Sequence, residues 1–223
     1  GFGFESQGMF TTSEPPWSPI ASTSHCQNCR NLPACAGPTL RQWSAEHGDA
    51  SLTERAHLLR QVAAALDALH AGAGAGEPVA HGGIRPDNVI VRPNGSAVVV
   101  GLGRVRLTTE AATADDDAAY TAPELRRPDA RATVQGDAYA FAVTVVEVLT
   151  GLPAPVAADR HLDAGAVVRQ LRTSAVTRRH AALIRQVSKA LAAPAEARPR
   201  QLRPWLDEAL EPRMDVVRLG RAA

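Results

Sequence analysis

Apolar residues recur at helical spacing over one long early stretch: Leu52, Ala56, Leu59, Val62, Leu66 and Leu69. That stripe predicts a helix from Leu52 to His70 with one face against a core. Ser51 and Glu54 supply its start signal, a hydroxyl followed three residues later by a carboxylate. A shorter helix is expected from Thr39, a candidate cap, through Leu40 to Trp43. The alternating run Ala71 to Gly76 ends the long helix. His70, at the last helical position, reads as a structural histidine.

The period then changes. Val89-Ile90-Val91 and Ala97-Val98-Val99-Val100 are short apolar runs on either side of Asn94-Gly95. Asn-Gly between apolar runs predicts a β-hairpin. Thr133 to Gly151 is apolar almost all round, with Ala138, Phe141, Val143, Val145, Val146, Val148 and Leu149. A helix without a polar face belongs in the middle of its domain. Gly151 and Pro153 end it. Two or three further helices are expected, at about 162–173, 178–192 and 199–211, and no internal repeat is visible.

Composition narrows the class. The 223 residues suit one domain, or one with a long extension. With 45% apolar and 4% aromatic residues, the core is built mostly from Ala, Val and Leu. A net charge of +1 gives no case for nucleic acid or a membrane surface. No run of apolar residues is long enough to span a bilayer, and no secretory signal precedes the first helix. Three cysteines are too few for a disulfide scaffold and point to a reducing, cytoplasmic setting. A single lysine, Lys189, among 24 basic residues suggests GC-rich bacterial coding.

Residues 1–38 have no helical or strand period, and are expected to be disordered or foreign to the domain. Gly1-Phe2-Gly3-Phe4 is a poor match to a phosphate loop, because no strand precedes it and Gly8 is out of register. Cys26 and Cys29 have zinc-ligand spacing, with His25 and Cys35 nearby. A fourth well-placed ligand is missing, so free thiols are the favoured reading and no metal is expected.

The residues that bear on chemistry are His81 to Val91, HGGIRPDNVIV, then Val100-Gly101-Leu102-Gly103, then Thr121-Ala122-Pro123-Glu124. Their order resembles the protein kinase signatures H-R-D-L-x-x-x-N, D-F-G and A-P-E. His81, Asn88, Ala122, Pro123 and Glu124 match. Gly83 stands at the catalytic-base position and Gly101 at the metal-ligand position. Arg85 replaces the catalytic-loop lysine.

The resemblance implies a mainly α fold, the kinase-like C-terminal lobe over 39–211, with the hairpin flooring the active site and a tail at 212–223. Residues 104–120, with Glu110, Asp115, Asp116 and Asp117, correspond to the activation segment and are expected to be mobile. The family's N-terminal β-lobe, with its glycine-rich loop and strand lysine, is expected to be largely absent. Asp137 is implied to tie down the catalytic loop, and Arg198 to pair with Glu124. Asp117 is expected to reach Arg85 in place of the lost carboxylate. Asp87 reads as a solvated turn residue.

Phosphoryl transfer needs positioned phosphates, metal and a carboxylate that accepts the hydroxyl proton. With both carboxylates replaced, the expectation is a catalytically inactive, pseudokinase-like interaction or regulatory module. Such a module takes a protein partner and no cofactor. The alternative is a Ser/Thr kinase fragment, dependent on ATP and Mg²⁺ in a fuller form.

Overall fold

A computed structural model describes residues 36–72, 77–102, 118–127, 129–192 and 194–211. His25, Cys26, Cys29, Cys35 and Asp117 lie outside the described residues, as do the Gly1-Phe2-Gly3-Phe4 stretch, most of 104–120 and the tail at 212–223. The described elements run α1 Leu40–Glu46, α2 Leu52–His70, β1 Val89–Val91, β2 Ala97–Val99, α3 Val134–Thr150, α4 Ala164–Thr173, α5 Ala181–Ala190 and α6 Leu202–Leu210. Among the described residues the architecture is mainly helical with one small hairpin, as the sequence predicts.

Both early helices begin with reciprocal capping boxes. Thr39 accepts from the Gln42 N–H while Gln42 accepts from the Thr39 N–H. Ser51 and Glu54 do the same for α2. Each box satisfies two backbone donors that a helix start otherwise leaves unpaired.

Helix α3 is the central element, buried at every position from Gly136 to Leu149. It touches α1, α2, α4 and α5. Its Phe141 ring meets Trp205 of α6 edge-on, with centroids 6.0 Å apart. Burying a side chain of that kind contributes about 1.5–3 kcal/mol. Gly151 closes α3 in the left-handed region at φ 69°, donating to the Glu147 carbonyl.

The hairpin pairs Val89 with Val99, Ile90 with Val98 and Val91 with Ala97. Thr39 bridges to Ile90, so the cap of α1 sits on the hairpin. Gln61 of α2 bonds the Gly95 carbonyl and the Ala97 N–H at the hairpin's far end.

A buried guanidinium joins three elements. Arg55 of α2 donates to the carbonyls of Val148 at 2.7 Å, His47 at 2.8 Å, Ala50 at 3.0 Å and Gly48 at 3.1 Å. It therefore ties the C-terminal end of α3 to the turn between α1 and α2, using only main-chain oxygens.

The last helices start later than the sequence pattern suggests. Leu162 pairs with Val156 in an isolated bridge, and Asp163 caps α4 at Ala166. Before α5 the chain turns, and the Thr177 hydroxyl donates to the Leu171 carbonyl. Helix α6 has no cap of its own. The Asp67 carboxylate of α2 accepts from the N–H groups of Leu202 and Arg203 instead. A cap lent by a residue 135 positions away leaves no local sequence signal.

Candidate functional site

The candidate site is the loop between α2 and β1, and the helix that fixes it is α3. Asp137, in the first turn of α3, is 2% exposed. One carboxylate oxygen accepts from the His81 N–H at 2.6 Å and from His70 Nε2 at 2.9 Å. The other accepts from the Gly82 N–H at 2.8 Å. A buried carboxylate is stable only with such donors around it. The three bonds clamp the loop where it enters the site, and they give His70 a structural partner.

His81 is buried beside this clamp and donates from Nε2 to the Val100 carbonyl at 3.1 Å. That bond links the loop to the end of β2. Burial pushes the His81 imidazole below its ordinary pKa, despite the nearby Asp137 charge. Its Nδ1 has no hydrogen-bond partner in the structure, so a second ring proton would have no acceptor.

Asn88 lies at the centre. Its Nδ2 donates to the Gly83 carbonyl at 2.6 Å, and its main-chain carbonyl accepts from the Val100 N–H at 2.9 Å. Gly101 adopts φ +81°, and a Cβ there would lie 3.4 Å from the Asn88 side chain. Gly83 and Gly101 therefore both lie against the same amide. Among the described residues, no group of three His, Cys, Asp or Glu could hold a metal ion. An amide can ligate a metal only through its oxygen, and one neutral amide alone is a weak ligand for Mg²⁺, a hard ion usually held by carboxylates.

Asp87 is not a solvated turn residue. Arg41 of α1 donates Nε to both of its oxygens, at 3.1 and 3.0 Å. The same guanidinium donates to the Tyr120 hydroxyl at 2.8 Å and lies 3.3 Å from Glu147. Tyr120 in turn donates to Glu147 at 2.6 Å. Burial, then the Glu147 charge, holds the Tyr120 phenol well above its usual pKa, so it stays a donor. The other Glu147 oxygen accepts from the Ala154 N–H at 2.6 Å. The sequence reading missed this cluster, although an isolated glutamate in Val145-Val146-Glu147-Val148 was a visible signal for a buried, partnered carboxylate.

Glu124 and Arg198 come together although 74 residues separate them. Arg198 donates to the two Glu124 oxygens at 2.6 and 2.8 Å, and to the carbonyls of Gln135 and Ala192 at 3.1 Å. Its guanidinium lies 5.2 Å from the Tyr139 ring centroid. Burial opposes ionisation of Glu124, but the Arg198 hydrogen bonds outweigh it and hold the carboxyl below the usual range. Arg85 lies at the distance limit for an ion pair with Asp87, 4.0 Å. Its expected partner Asp117 is outside the described residues.

Comparisons with known proteins fit this geometry. The family described as protein tyrosine and serine/threonine kinase matches residues 32–210. Serine/threonine-protein kinase PknD of Mycobacterium tuberculosis is 34% identical over 128 residues, covering 55% of this chain and 18% of that protein. Probable serine/threonine-protein kinase PknB of Lactococcus lactis is 27% identical over 120 residues, covering 52% of this chain and 18% of that protein. The chain thus matches under a fifth of the length of these curated relatives. The kinase domain of maize sucrose-induced receptor kinase 1, solved with AMP-PNP, superposes with a TM-score of 0.58 at 22% identity. That likeness covers 78% of this chain and 66% of the maize chain, and it shows the fold.

Proposed function

Because this chain belongs to the protein tyrosine and serine/threonine kinase family, we propose that it is a member that keeps the scaffold without the phosphotransfer chemistry. It acts instead as an interaction or regulatory module for a protein partner. The observation that carries this reading is the pair Gly83 and Gly101 facing Asn88. In the family these positions hold the carboxylate that receives the substrate proton and the one that binds Mg²⁺. Loss of a general base alone costs about 10²–10⁴-fold in rate.

The described carboxylates beside the loop have other work. Asp137 holds backbone donors, Asp87 holds Arg41, and Glu147 holds Tyr120 and Ala154. Moving any of them to the reacting position would break a structural contact. Neither ATP nor Mg²⁺ is expected as a cofactor on this reading.

The test is incubation of the purified chain with labelled Mg-ATP or Mn-ATP and generic protein substrates. No phosphate transfer is expected, to itself or to the substrates. Nor should nucleotide raise the melting temperature, whereas a ligand at 100 times its Kd would add about 2.7 kcal/mol of stability. Stoichiometric phosphate incorporation would refute the proposal and favour a working Ser/Thr kinase domain.

A further inference from the structure

A groove of about 730 Å³ runs between α4 and α5, on surface the loop site does not use. Val168 of α4 and Ala181, Ile184, Ser188 and Ala192 at the α5 side line it. The α5 residues recur every three or four positions, so the groove follows the helix axis. Four exposed cations edge it: Arg172, Arg178, Arg185 and Lys189. No acidic residue lines it.

Several cations elsewhere are paired with carboxylates. Arg60 and Arg203 share Asp207, Arg169 faces Asp163, and Arg41 holds Asp87. The four groove cations meet no carboxylate among the described residues. Arg185 and Lys189 are also four apart on α5, where like charges destabilise a helix. In a chain of net charge +1, four cations around one groove create a local field that favours an anionic occupant.

The apolar floor decides what kind of anion. A lone phosphate would satisfy the rim but leave Val168 and Ile184 uncovered. We propose that the α4–α5 groove docks an acidic amphipathic helical segment of a protein partner. Apolar side chains one turn apart cover Val168 and Ile184. Flanking carboxylates meet Arg172, Arg178, Arg185 and Lys189, with arginine well shaped for two-pronged contacts. The ten residues of α5 span roughly 15 Å, room for about three turns of the docked helix. This gives the interaction module proposed above a class of partner. Its test uses no nucleotide, so the two readings can fail separately.

The experiment is fluorescence anisotropy of the full chain with a fluorescein-labelled, stapled peptide bearing leucines on one face and glutamates on its flanks. Matched peptides carry lysine for glutamate, or serine for leucine. The acidic peptide should bind saturably, and both controls should bind at least about tenfold more weakly. Arg185→Glu with Lys189→Glu should weaken the acidic peptide about tenfold and tighten the lysine peptide. Ile184→Gln should weaken the acidic peptide, with circular dichroism confirming each variant's fold. If that variant unfolds, the serine peptide still tests the apolar floor. Three results would overturn the proposal: no saturable binding, equal binding to the charge-reversed chain, or equal binding of the serine peptide. Binding to phosphatidylglycerol vesicles without peptide binding would equally refute it, assigning the cations to a membrane surface.

Discussion

Replacing Arg198 by alanine should destabilise the fold more than a surface substitution can. The guanidinium is fully buried, with 0% of its side chain exposed, whereas 31% of the Glu124 side chain reaches solvent. Removing one partner of a buried pair costs about 3–5 kcal/mol. The partial exposure of Glu124 lets water recover some of that loss, which places the estimate near the lower end, about 3 kcal/mol. The carbonyls of Gln135 and Ala192 also lose their donor. In a chain of this length, about 3 kcal/mol lowers Tm by roughly 6–12 °C. Urea unfolding should show the same loss as a lower midpoint at unchanged slope. Glu124→Gln keeps the shape but removes the charge, and Arg198→Ala with Glu124→Gln should cost less than the two single changes added together. A Tm change under about 2 °C for Arg198→Ala, or strict additivity in the cycle, would refute the role given to this pair.

Two further predictions concern the candidate site. The folded-state pKa of His81 is depressed by burial, so its contribution is present above the unfolded value of about 6.5 and is lost as pH falls through the folded value. Urea midpoints should fall between about pH 7.5 and 5.5, and His81→Gln should flatten that slope; the same slope in the variant would assign the effect to another group. Tyr120→Phe removes the donor to the buried Glu147 and the acceptor for Arg41. It should cost about 1–3 kcal/mol, read as a lower urea midpoint, and a neutral result would mean that water replaces the hydroxyl without loss.

The elements that follow local rules were legible in the sequence. Helix α2 carries both its apolar stripe and its Ser51–Glu54 cap within one short stretch, and the uniform apolarity of α3 announced its central place. The hairpin was marked by Asn94-Gly95. What escaped was coupling across the chain. Asp87 lies in a polar turn, and nothing nearby shows that Arg41, 46 residues earlier, reaches it. The start of α6 depends on Asp67 of another helix. The roles given to Asp137, Glu124 and Arg198 came from the family likeness alone, because no periodicity brings residues so far apart into one cluster.

The joint made by Arg55 responds to acid differently from the joints built on a carboxylate or an imidazole. An arginine stays protonated at any working pH, and its partners here are main-chain carbonyls that do not titrate either. The Glu124–Arg198 joint and the neutral His81 both depend on protonation states that acid reverses. Lowering the pH should therefore release the Arg198 region and the loop at His81 while the Arg55 joint holds. The acid-expanded chain should retain α1, α2 and the end of α3 as its most protected part, seen as the slowest amide exchange around Val148 and the α1–α2 turn.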